Sequence, residues 1–129
     1  TGVSHPKKPR MTYTLPLVAL GGALGATFRY LATLLWPAPW GVMAINIAGS
    51  LAIGLLAGPL LLAERGPHPL APFLVTGLLG GFTTFSAFSL DALRLVEGGR
   101  IGAALLYVGG SVGLSLLACG LGLWIGRLA

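Results

Sequence analysis

Twelve consecutive residues hold most of the groups in this chain that could handle an ion: Gly80-Gly81-Phe82-Thr83-Thr84-Phe85-Ser86-Ala87-Phe88-Ser89-Leu90-Asp91. Two glycines, four hydroxyls and three phenylalanines stand where a lipid-facing helix would carry leucine and valine. Gly80-Gly81 is expected to interrupt the helix begun at Leu70. A bilayer tolerates irregular backbone only where protein or a water-filled cavity covers it. Such an interruption exposes carbonyls on one side and N–H groups on the other, so it can serve either ion sign. Phe82, Phe85 and Phe88 recur every three residues. The plain reading of such rings is core or lipid-facing bulk; the sharper one uses the positive ring edge, which can face an anion without a formal charge.

Three further polar groupings lie inside apolar runs. Gly21, Gly25 and Arg29 share one helical face, so Arg29 either sets a positive field at an anion vestibule or snorkels to the interface. Asn46, with Ser50 one turn on, either bonds across a helix interface or offers N–H donors to an anion. Tyr107, Ser111 and Ser115 fall on one stripe and read as a polar track. Asp91 and Arg94, one turn apart, read as an ion pair at the membrane interface.

The elements that must position these groups follow from composition. Of 129 residues, 55% are hydrophobic and 9% charged, and mean hydropathy is +0.89. A soluble domain carries about a quarter charged residues, so this chain is an integral membrane protein. About 20 apolar residues cross the hydrocarbon core. Four runs reach that length: Tyr13–Trp36, Trp40–Ala63, Leu70–Val96 and Arg100–Ile125. They are separated by a Trp36-Pro37-Ala38-Pro39-Trp40 turn, a Glu64-to-Pro69 turn and Glu97-Gly98-Gly99-Arg100. Residues 1–12 read as a disordered basic tail and 13–129 as a single four-helix transmembrane domain. The lone Cys119 reads as a small buried hydrophobe. Glycine pairs four apart, at Gly21/Gly25, Gly54/Gly58, Gly77/Gly81, Gly109/Gly113 and Gly122/Gly126, predict closely packed helices.

Short loops make successive helices antiparallel, with both termini on one side. Lys7, Lys8, Arg10, Arg65 and Arg127 then lie on the terminal side, against Arg94, Arg100 and Arg29 opposite. Without the tail the count is two against three, which sets no orientation. The chain has no internal repeat. The expected assembly is therefore a dual-topology antiparallel homodimer of all-α protomers, each with a break in its third helix.

Several function classes are excluded or disfavoured. The formal charge of +5 is scattered over the tail and the helix ends rather than gathered into a nucleic-acid patch. His5 and His68 lie in the tail and a loop, so no metal-ligand cluster is legible, and Gly49-Ser50 has no intramembrane histidine to activate it. No enzyme is expected. A proton-coupled exporter of cationic drugs needs a midplane carboxylate that is absent. Hydroxyls, an amide, aromatic edges and an arginine favour a passive pathway for a small anion. The alternatives are a small dual-topology drug or cation exporter and a non-conducting structural bundle.

These residues resemble the fluoride channels of the Fluc/CrcB family. The resemblance runs from Met11 onward. It rests on Gly21-Gly22-Ala23-Leu24-Gly25-Ala26-Thr27-Phe28-Arg29-Tyr30, on Asn46-Ile47-Ala48-Gly49-Ser50, and on Gly80-Gly81-Phe82-Thr83-Thr84-Phe85-Ser86-Ala87-Phe88. It implies a homodimer with two pores in the cell inner (plasma) membrane, passive fluoride export and exclusion of chloride. By the resemblance Asn46 is the pore-lining amide, Phe85 and Phe88 present their edges to fluoride, and Tyr107, Ser111 and Ser115 form the polar track. Ser86 falls at the vestibule end and Arg29 near the pore entrance. The main-chain carbonyls of Gly80 and Thr83, from both subunits, are implied to hold a structural sodium ion. One departure is Ala87, where the family often carries threonine.

Overall fold

The computed structural model describes Gly2 and residues 11–128, and the expectation for the basic tail otherwise lies outside the described residues. The protein is all-helical. α1 spans Met11–Leu35 and α2 spans Trp40–Leu60. α3 combines a π-helical stretch, Pro72–Leu79, with the turn Gly80–Phe82. α4 covers Phe85–Glu97 and α5 covers Ile101–Leu128.

Four segments have the length and composition to cross a bilayer: Tyr13–Leu35, Trp40–Leu60, Pro72–Glu97 and Ile101–Leu128, of 23, 21, 26 and 28 residues. The third is α3 and α4 together. Leu105, Leu106, Leu116, Leu117 and Trp124 of α5 are exposed, as a lipid-facing surface requires. The helices stop where backbone chemistry stops them. α2 ends at Leu60, short of Ala63, just after Pro59. Pro72 opens α3, where its missing N–H costs no helical bond. After α4, Gly99 takes a left-handed φ of +75°, and Arg100 N–H returns to Leu95 O at 2.8 Å.

Packing joins the helices in two pairs, α1 with α3 and α2 with α5. Both depend on glycine. Gly21 lies against Gly77, where a Cβ would come 2.8 Å from Val18 O and 2.9 Å from Gly21 Cα. Gly122 lies against α2, where a Cβ would meet Leu51 O at 2.5 Å and Leu55 N at 2.8 Å. With no hydrophobic drive between helices in lipid, such close backbone approach supplies the dispersion contact that holds them. A small core of Val42, Phe88, Leu95, Ala104 and Tyr107 ties α4 to α2 and α5.

Candidate ion site

The expectation that Gly80-Gly81 interrupt the third span is corrected by the backbone: both glycines are helical. The extended residues are Thr83 (φ −85°, ψ 155°) and Thr84 (φ −151°, ψ 121°). The glycines are there for packing, since a Cβ at Gly81 would sit 2.6 Å from Gly22 O on α1.

Asn46, on α2, holds Thr84 by both backbone groups. Thr84 N–H donates to Asn46 Oδ1 at 2.8 Å, and Asn46 Nδ2 donates to Thr84 O at 3.0 Å. Thr84 in turn caps α4: its Oγ1 accepts from Ala87 N–H at 3.2 Å and lies 3.2 Å from Ser86 Oγ. These bonds divert donors. In a continuous helix Thr84 N–H would serve Gly80 O and Ala87 N–H would serve Thr83 O. Here the first goes to an amide oxygen and the second to a hydroxyl. The Gly80 and Thr83 carbonyls are thereby left without their helical donors, and free carbonyl oxygens are the ligand type a hard cation takes. Gly81 O, between them in sequence, accepts from Arg29 Nε at 3.1 Å.

Beside Thr83–Thr84 lies an open groove of about 340 Å³. Asn46, Phe85, Phe88, Ser111 and Ser115 line it, as do Gly80, Thr83 and Thr84. Phe85 is 77% exposed, whereas Phe88 is 8% and Tyr107 0% exposed, so the aromatic groups run inward from an open end. Ring centroids are 5.4 Å apart from Phe85 to Phe88, 5.4 Å from Phe88 to Tyr107, and 5.8 Å from Tyr107 to Trp40. Phe82 leaves this track and lies toward Gly49 instead.

Tyr107 OH and Ser111 Oγ are buried without a hydrogen-bond partner, and so is Asp91 Oδ2. Asp91 and Tyr107 influence each other electrostatically but form no hydrogen bond of good geometry. Asp91 also feels the opposite charge of Arg94, as their spacing suggests, although among the described residues the two are not close enough for a direct ion pair. Buried polar groups normally find partners, and these hydroxyls have none. Removing such a hydroxyl leaves no orphaned partner, so Tyr107→Phe is expected to keep or slightly raise thermal stability. If the hydroxyl serves the passing ion, the same variant loses several-fold in ion flux. Unfolding and flux measured on one preparation separate the two effects.

The groove thus gathers Asn46, Phe85, Phe88, Ser111 and Ser115, with Tyr107 reached through Phe88. Ser86 is exposed and touches the site through Thr84 Oγ1. Arg29 is not in the groove lining; it acts on Gly81 from the α1 side. Sequence reasoning overlooked the Thr84 backbone, for which the only local signal was a Thr-Thr pair. It also missed that Asp91 lies by Tyr107 as well as under the charge of Arg94.

Residues 16–123 match the family described as CrcB-like protein, Camphor Resistance (CrcB). The chain belongs to the CrcB family. Among curated CrcB relatives, a protein of Paracoccus denitrificans named "Fluoride-specific ion channel FluC" is 58% identical over 122 residues, covering 91% of this chain and 97% of its own length. A Cereibacter sphaeroides protein of the same name is 55% identical over 112 residues, covering 82% and 88%. One from a Ruegeria species, also so named, is 48% identical over 124 residues, covering 91% and 97%. The matched CrcB span contains every groove residue named above, together with Arg29 and Tyr107.

Proposed function

We propose that this chain is a fluoride-specific ion channel, passing fluoride down its gradient through a multi-pass membrane protein. The observation that carries the reading is its membership of the CrcB family with near full-length identity to channels of that name. Conduction makes and breaks no covalent bond, so no residue has a catalytic role.

The groove chemistry supports the reading. Fluoride is small and strongly hydrated, so it enters only where close donors replace its water. Asn46 has two N–H donors and commits one to Thr84 O, leaving the other for the groove. Ser111, Ser115 and Tyr107 add hydroxyls, and the Phe85 and Phe88 edges add positive ring potential. Ser86 stands at the exposed end, the vestibule. Chloride, larger and more easily dehydrated, gains less from such short donors.

The finer reading is a dual-topology antiparallel homodimer with two pores, exporting fluoride across the cell inner membrane. In its support, Gly102, Gly109, Gly113 and Gly120 of α5 have no neighbour within 4 Å, and a flat glycine surface suits a second helix. The groove is also open beside Phe85, where a partner could complete it. A sodium ion fits the donor-free carbonyls of Gly80 and Thr83, with the Thr83–Thr84 extended pair acting as the functional break. Bound there, it would supply fixed positive charge between the protomers and would not be transported.

Liposomes loaded with potassium fluoride and carrying purified protein are expected to empty into fluoride-free buffer once a potassium ionophore lets the cation follow, while potassium chloride-loaded ones hold. Equal leak of both ions would favour a nonselective pathway, and no leak of either would favour the structural bundle. Labelling of engineered cysteines at the C-terminus from each face of intact cells tests the assembly. Label from one face only would defeat dual topology.

A further inference from the structure

We infer that Arg29 and Asn46 are a pair of positioning residues that brace the Gly81–Thr84 backbone from opposite sides, and that Arg29 acts there as a hydrogen-bond donor rather than as a charge attracting anions. Arg29 comes from α1 and Asn46 from α2, elements that otherwise make few mutual contacts. Between them lies the one stretch of the third span whose backbone cannot satisfy itself.

The two braces do different work. Asn46 takes both backbone groups of Thr84, in a two-point contact that fixes the peptide in position and rotation. Arg29 holds one oxygen, Gly81 O, at 3.1 Å through Nε. Nε shares the guanidinium charge with the outer fork but is its donor nearest the main chain, so a neutral donor of the same reach can replace this bond. Thr83 adds a local tie, its Oγ1 donating to Leu79 O at 2.9 Å. The turn is thus fixed at Leu79, Gly81 and Thr84. The intervening carbonyls of Gly80 and Thr83 point where the three ties set them. A half-buried extended pair without these ties would leave more of its polar backbone unpaired at membrane depth, which favours refolding the segment.

Glutamine provides the decisive comparison, because its Nε2 stands the same number of bonds from Cβ as arginine Nε. Arg29→Gln keeps the donor and removes the charge; Arg29→Met keeps the length and removes both; Arg29→Lys keeps the charge. Reconstituted full-length protein is expected to retain fluoride efflux within about threefold for Arg29→Gln and to lose about tenfold or more for Arg29→Met, the scale of leaving one backbone acceptor unpaired. If Arg29→Gln is as poor as Arg29→Met while Arg29→Lys conducts normally, charge is the operative property and the inference fails. Normal efflux from Arg29→Met also overturns it.

The flux readout rests on the proposed channel function; a second measurement does not. In detergent, amide hydrogen exchange at Thr84 should be slow in the unmutated protein. It should accelerate about tenfold or more in Asn46→Ala, while the amides of Leu90–Leu95 in α4 stay protected. Unchanged protection at Thr84 would refute the Asn46 brace even if wild-type liposomes conducted no fluoride. General acceleration through α4 would refute it too, as unfolding rather than local release.

Discussion

Asn46→Asp is expected to reduce fluoride efflux from liposomes by at least about a hundredfold without unfolding the protein. An aspartate keeps the oxygen that accepts from Thr84 N–H at 2.8 Å. It replaces the nitrogen that donates to Thr84 O at 3.0 Å with a second oxygen, so two acceptors face each other. The donor left over for the groove disappears as well. In its place stands a negative charge where an anion must pass. Two like charges 4 Å apart at an effective dielectric of 20 repel by about 4 kcal/mol, nearly a thousandfold in occupancy. The open groove and its water reduce that figure, hence the smaller estimate. Asn46→Ala removes the donors without adding charge, so its efflux should fall between wild type and Asn46→Asp. A fluoride electrode outside the vesicles measures all three. Asn46→Asp conducting at or above the alanine variant would show that the amide is not exposed to the anion. Gel filtration in detergent before reconstitution shows that the compared variants are folded.

How much of this site was legible beforehand depended on the range of the interactions that make it. The four spans follow from hydropathy and from proline-bearing turns, both local, and the ends of the helices differ from expectation by only a few residues. The polar stripe of Tyr107, Ser111 and Ser115 was legible because α5 is regular, and helical periodicity carries over to its surface. The interruption of the third span was not placed correctly. Glycine has poor helix propensity, so Gly80-Gly81 looked like the weak point. In the folded chain those glycines stay helical because α1 needs the space their missing side chains leave. The backbone instead leaves the helix at Thr83 and Thr84, where Asn46, 38 residues away in sequence, offers Thr84 both a donor and an acceptor. No local pattern reveals a partner at that distance. Asp91 was legible in part: the charge of Arg94, one turn on, does act on it, but its approach to Tyr107 on another helix had no local signal. The π-helical winding of Pro72–Leu79 adds a further shift, since a wider turn moves side chains off the faces an α-helical reading assigns. The glycine pairs were legible as packing faces. Which face meets which was not, and Gly109 and Gly113 meet nothing within the protomer.

Gly21→Val is expected to give a large loss of stability, about 3 kcal/mol or more, because the added side chain has nowhere to go. A Cβ at Gly21 would run into the carbonyl oxygen of Phe73, and would lie 2.9 Å from Leu78 N and 3.0 Å from Gly77 Cα. All three neighbours are backbone, so no rotamer change can make room. Relief requires α1 to move away from α3, which also separates Gly25 from Leu78 and Gly81 from Gly22. The whole interface opens for one isopropyl group, and dispersion contact falls steeply with separation. The same movement draws Arg29 away from Gly81 O, so efflux should be lost together with stability. The comparison is Gly22→Val, the next residue of the same helix, where a Cβ would meet only Gly77 O at 4.0 Å and the expected loss is much smaller. Both variants replace glycine with the same β-branched residue in a helix, so propensity changes are alike and the difference between them reports close approach alone. Thermal unfolding in detergent, followed by loss of helical circular dichroism, reads it directly. If the two variants unfold at the same temperature, the glycines of α1 and α3 matter for their backbone freedom and not for the contact they allow.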